Sequence, residues 1–290
     1  MINEIKFNNA NSRDTFFTVH NVKKAQSVSK GKGVKVGIID WLFAYETNKS
    51  LYSGCTNISG EAPCLYEYGG HGLMMATTLC EVAPGCEIYA INSTLYNDVG
   101  EVNRIRFFEK AINWAIENKM DILTYSNAAF SGDERIRANN AVQKAVKSGI
   151  ITTFIHNDSE YNIWPYGCMG FGNDQKFSRL PDVNIYHFDY NTLFLPLYEK
   201  YSAIIESGEK IQSGNDLPYF SFSSMSPVLA GFIAILKAIK PSLTSDECKK
   251  ILRETSHEIT TQGENWYDLN PCKNVVDIGK AVEKLCQNLK

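Results

Sequence analysis

The feature that most limits what this chain can fold into is the run Val34-Lys35-Val36-Gly37-Ile38-Ile39-Asp40. It is short, β-branched and almost continuously apolar, as expected for a strand covered on both faces. Such a strand needs parallel neighbours, with helices above and below. The sequence supplies both in alternation. A helix is predicted after Gly72, ending before Pro84, and Glu87 to Asn92 (EIYAIN) reads as the next strand. Arg104 to Asn118 sets Ile105, Phe108, Ala111, Ile112, Ala115 and Ile116 on one helical face. Asp121 to Ser126 is a strand, Arg135 to Ser148 a helix, and Ile150 to Ile155 (IITTFI) another strand. This order predicts an α/β fold of three layers, with a mostly parallel central sheet and helices on both faces.

The chain has 290 residues, 44% of them hydrophobic, ample for a buried core. It carries no internal repeat and no Gly/Pro/Ser-rich boundary. A single domain over residues 1–290 is therefore expected, with a flexible N-terminal extension over 1–14. Glu160 to Leu217 is aromatic and irregular. Order returns at Ser223, where Val228, Leu229, Phe232, Ile233 and Leu236 share a helical face. Thr244-Ser245-Asp246-Glu247 fits a capping box. Val275, Ile278, Val282 and Leu285 suggest a last amphipathic helix.

Lys and Arg total 29 against 32 Asp and Glu, a net charge of -3. No basic run is present, so neither nucleic acid nor an anionic membrane surface is an expected partner. The N-terminus is polar and lacks the layout of a signal peptide. A cytoplasmic location is expected. The eight cysteines are then read as reduced thiols, and the absence of a C-x-x-C pair speaks against structural zinc.

In parallel α/β sheets, ligands gather beyond the carboxyl ends of the strands. Asp40 ends the first strand; alone it would read as a turn or cap residue. His71 follows Gly69-Gly70 and opens a helix; alone it is more often a packed residue than a catalyst. Asn157 follows IITTFI, a common place for a turn. Ser223 heads an apolar helix, where serine is a favoured cap. Together they read differently. Acyl transfer needs a nucleophile, a base, a group that orients the base, and an oxyanion donor. These four residue types stand where a parallel sheet could bring them to one rim.

At these motifs the sequence resembles the subtilisin-like serine peptidases. GKGVKVGIID is similar to the family's Asp motif and ends on Asp40. GGHGLMMATTL followed by EVAPGCEIYAI resembles its His motif, around His71. AINWAIENKMDILTYS resembles the segment leading into the substrate strand. SFSSMSPVLAGFIAIL resembles the Ser motif, with Ser223 in the catalytic place. The resemblance implies a serine endopeptidase acting on a peptide or protein through an acyl-enzyme. Its catalytic triad would be Asp40, His71 and Ser223, with Asn157 at the oxyanion. It also implies that Ser126, Asn127 and Ala128, with Phe154, Ile155 and His156, line the substrate pocket.

The sequence departs from the family in places. Ser221-Phe222 stands where Gly-Thr is usual. Ser224 offers a second register for the nucleophile, at the expense of a deletion within the helix; the gapless register keeps Ser223. Phe154, Ile155 and His156 replace small residues, which predicts narrow peptide specificity. Only Cys80 and Glu81 separate Leu79 from Val82-Ala83-Pro84, too little for the family's calcium loop. Neither a metal nor another cofactor is expected. About thirty residues precede the first strand, fewer than the usual prosegment. The competing reading is a catalytically impaired pseudoprotease that binds a peptide or partner.

Overall fold

A computed structural model describes residues 3–5, 13–60, 70–93, 103–127, 129–167, 179–186, 203–204, 210–211, 222–261 and 272–289. Its centre is a five-stranded parallel sheet of β2 (Lys35–Asp40), β3 (Gly54–Asn57), β4 (Glu87–Asn92), β5 (Ile122–Tyr125) and β6 (Ile151–Phe154), in the order β3-β4-β2-β5-β6. The first strand lies in the middle, as its continuous apolar run requires. Its side chains alternate between two cores: Val36 and Ile38 enter one, Ile39 the other.

Helices α3 (His71–Val82) and α6 (Met225–Ile239) cover the first face, with Leu73, Met75, Leu79, Val228 and Phe232 buried against the strands. Helices α4 (Arg104–Glu117) and α5 (Gly132–Lys147) cover the second, through Ile105, Phe108, Ile112 and Val142. The three expected layers are present. Each large apolar side chain so enclosed contributes about 1.5–3 kcal/mol relative to exposure. A Cβ on Gly37 would lie 2.7 Å from Leu123 and 2.8 Å from Ile91, so the glycine lets the neighbouring side chains close over the central strand.

A second sheet takes the order β1-β11-β12-β8-β7, built from β1 (Asn3–Ile5), β7 (Pro165–Gly167), β8 (Val183–Ile185), β11 (His257–Thr261) and β12 (Cys272–Val275), while β9 (Ala203–Ile204) and β10 (Lys210–Ile211) form a separate antiparallel pair. Within the expected N-terminal extension, β1 pairs in parallel with β11, and α1 (Arg13–Val19) begins. The irregular segment from Glu160 contains β7 and β8, too short to show a period. Most of the remainder of that segment lies outside the described residues.

Two further helices, α7 (Ser245–Thr255) and α8 (Ile278–Asn288), close the fold; α2 (Val22–Val28) packs on α8. The capping box at Thr244 is present in full, with Glu247 reaching back to the Thr244 N–H. Val275 belongs to β12 and not to the last helix, which starts at Ile278 behind the Asp277 cap. Cys55, Cys80, Cys86, Cys248, Cys272 and Cys286 are free thiols. No helix among the described residues is long and apolar enough to cross a membrane.

Candidate active site

The sheet register brings the candidates to one rim. Asp40 pairs with Asn92, Ile39 with Tyr125, and Tyr125 with Phe154, so the carboxyl ends of four strands coincide. Asp40 is 1% exposed. Both of its carboxylate oxygens lie 2.8 Å from His71 Nδ1. That bond fixes Nδ1 as the donor and leaves Nε2 to exchange protons. Burial alone would push the His71 pKa down, but the Asp40 charge and hydrogen bond outweigh it and raise the value above 6.5.

Residues 41–44 set this geometry. Leu42 and Ala44 take left-handed φ values of 60° and 45°, uncommon for residues with a side chain. The bend turns two carbonyls toward the first turn of α3. Gly72 N donates to Trp41 O (2.7 Å), and Leu73 N to Leu42 O (3.1 Å). These bonds satisfy helix N–H groups that a side-chain cap would otherwise serve. A Cβ on Gly72 would fall 2.5 Å from Trp41 O, so only glycine permits the approach. The Trp41 N–H donates to Asp40 Oδ1 (2.9 Å), and its indole stacks on the His71 ring at 4.9 Å and 8°.

Ser223 sits in a 3-10 turn, Phe222–Ser224, that leads into α6 and packs against α3. Hydroxyl bonds stitch this turn to the sheet. Ser126 Oγ donates to Ser223 O (2.8 Å), Ser226 Oγ to Tyr125 O (3.3 Å), and Thr153 Oγ1 to Ser226 O (3.1 Å). Ser223 Oγ donates to Ser126 O at 3.2 Å. Among the described residues, no hydrogen bond joins it to His71. Ser223 is half-buried, whereas Ser224, the helix cap, is 1% exposed. Helices α3 and α6 cross where Gly231 meets Val82; a Cβ on the glycine would lie 2.7 Å from that valine.

Asn157 follows β6, with its side-chain Nδ2 donating to Asn139 Oδ1 on α5 (3.2 Å) and its side-chain Oδ1 accepting from Ser159 N (3.1 Å). The expected pocket residues separate. Ser126, Asn127 and His156 lie at the strand ends, His156 with φ 55°. Ala128 lies outside the described residues. The side chains of Phe154 and Ile155 are buried among the described residues. Phe154 is 0% exposed and packs against Phe108 and Tyr125. Ile155 is enclosed in the opposite core. Strand alternation sends successive side chains to opposite faces, and each face here is already under a helix. Reading the sequence also missed Trp41 and Asn139. The position after the strand-ending aspartate was the one available signal for Trp41; the Asn139 contact depends on helix docking.

The fold has relatives among solved structures. One, a lanthipeptide protease, superposes with a TM-score of 0.65 at 13% identity, covering 93% of this chain and 94% of the other. Another is fervidolysin from Fervidobacterium pennivorans, a keratinolytic enzyme related to subtilisin. It gives 0.64 at 16% identity, over 92% of this chain and 45% of the other. The chain has the subtilisin-like fold. In sequence, this subtilisin-like chain is 25% identical over 239 residues to a thermostable alkaline protease of Halalkalibacterium halodurans. That match takes in 78% of the chain and spans 63% of the relative's length. No family model matches.

Proposed function

We propose that the chain is a serine endopeptidase of subtilisin-like type, with Asp40, His71 and Ser223 as its triad. The observation that carries this reading is the short, two-oxygen bond from buried Asp40 to His71 Nδ1, on a rim that Ser223 shares. Rotation of the Ser223 hydroxyl away from Ser126 O would direct its proton to His71 Nε2. Oγ then attacks the peptide carbonyl, and His71 passes that proton to the leaving amine as the C–N bond breaks. Water, deprotonated by His71, then attacks the acyl carbon; the bond to Ser223 Oγ breaks and His71 returns that proton to Oγ, which frees the carboxylic acid product. Asp40 stabilises the imidazolium throughout. The Asn157 amide and the Ser223 N–H at the head of α6 supply the oxyanion contacts.

Narrow peptide specificity is part of the proposal. Its support is His156, half-buried at the strand end in the place of a small residue. A peptide library cleaved without preference next to the cut bond would remove it. The competing reading, a peptide-binding protein without turnover, is favoured by the bond that holds Ser223 Oγ on Ser126 O. A fluorophosphonate probe separates the two. Labelling mapped to Ser223 and lost in Ser223→Ala is expected. Folded protein that takes no label supports the binding reading, and label on Ser224 would move the nucleophile by one residue.

A further inference from the structure

The Trp41 indole is the one large side chain laid flat on the His71 ring among the described residues. Three observations converge on it. The rings are nearly parallel and stacked, at 8° and 4.9 Å, so one face of the imidazole is covered. The Trp41 main chain is tied to the same aspartate, its N–H on Asp40 Oδ1 at 2.9 Å. Its carbonyl is tied to the helix that His71 opens, accepting from Gly72 N at 2.7 Å. The adjoining left-handed residues, Leu42 and Ala44, show that the chain is bent to hold this arrangement.

We propose that Trp41 is a positioning residue for the base: its indole holds the imidazole in the plane Asp40 requires and favours the imidazolium form. The proposal rests on the protease reading for its kinetic consequences, but not for its physical ones. An aromatic face attracts a cation stacked on it, most strongly where water is excluded. The imidazolium forms when His71 takes the Ser223 proton, so the attraction grows as the reaction proceeds and lowers the barrier. Asp40 is the only charged group that acts on His71 among the described residues, and the serines of the nucleophile turn are neutral. Among the described residues, then, no charge other than Asp40 competes with the effect of Trp41.

The test compares Trp41→Leu, which keeps apolar cover but removes the aromatic face, with Trp41→Phe, which keeps a smaller ring. In Trp41→Leu, kcat is expected to fall about tenfold with KM within about twofold, as orientation is lost and binding is not. The acid limb of the kcat profile should move down by about half to one pH unit. Trp41→Phe should recover most of both. The His71 titration is also read by NMR on 13C-histidine-labelled protein carrying Ser223→Ala, which needs no turnover. A titration and a kcat unchanged in both variants would overturn the proposal. If Trp41→Leu fails to fold, Trp41→Met, which also lacks an aromatic face, decides in its place: a downward shift of the His71 titration supports Trp41, and no shift refutes it. If the wild-type chain neither hydrolyses peptides nor takes the probe, the protease reading fails. The NMR titration then still decides the role of Trp41.

Discussion

His20 makes acid a specific threat to this fold. The ring is wholly buried between Phe16 and Phe232, at 4.6 and 5.3 Å. Its Nδ1 donates to Val276 O at 2.6 Å, and Nε2 accepts from Tyr186 N at 2.9 Å. Both nitrogens are thus committed to the neutral tautomer; a proton on Nε2 would face an N–H donor. Burial is the main force that pulls the pKa from 6.5 down to about 3, and His257 adds to it against the Val276 bond.

The unfolded chain binds the proton below pH 6.5, while the folded chain does not until about pH 3. The stability is therefore whole above 6.5 and is lost as pH falls through that window. The full difference corresponds to about 5 kcal/mol, and the drop from pH 7.5 to pH 5 to about 2 kcal/mol. Urea unfolding of Ser223→Ala protein, which cannot digest itself if the proposed triad is right, measures the loss. His20→Gln in the same background does not titrate and serves as the reference. It should be less stable at pH 7.5 by about 1–3 kcal/mol, through the lost ring packing and one hydrogen bond. The gap between the two proteins should then narrow by about 2 kcal/mol at pH 5. A gap that stays constant across the range would refute the reasoning.

Other consequences are as direct. With His71 as the proposed base, its raised pKa places the acid limb of kcat/KM above pH 6.5, because the base must be neutral to accept a proton; an apparent value below 6 contradicts this. Gly72→Ala should push the 41–43 segment off α3, reducing stability by about 1–3 kcal/mol and reducing kcat with it; melting curves and kinetics that match wild type would refute the contact. Asp182, 1% exposed, accepts from Trp164 N, Arg179 and Arg253. Asp182→Ala should lower stability by about 2–4 kcal/mol in denaturant melts, with a smaller loss for Asp182→Asn; no loss would show that the partly exposed arginines rehydrate without penalty.

Four strands of the central sheet, β2, β4, β5 and β6, were readable because they are largely buried and therefore announce themselves as apolar runs, whereas the edge strand β3, half-buried along its length, was not. The ends of those four match the expected ends to within a residue or so. Helix α5 starts at Gly132, ahead of the expected Arg135, since its first turn is polar and is favoured by Asp133 and Glu134 at the dipole's positive end. The second sheet was not readable, because strands as short as β7 and β8 carry no period. At the site, Asp40 and His71 were legible from their places at a strand end and a helix start. Phe154 and Ile155 are buried in the two cores, as the alternation of side chains along a strand covered on both faces requires, which motif similarity alone does not convey. Trp41 escaped notice because a ring stack joins residues distant in sequence.

The crossing of α3 and α6 at Gly231 bears on how this chemistry can be tuned. Val82 closes the helix that His71 opens, about 16 Å away along its axis, and Gly231 lies about 12 Å along from Ser223. The contact thus acts as a fulcrum with the proposed base and nucleophile at the ends of two long arms. A methyl group added there, remote from any reacting atom, would be amplified into a change of spacing between them. Engineering of this chain therefore has an adjustment point inside the core, away from the proposed catalytic groups.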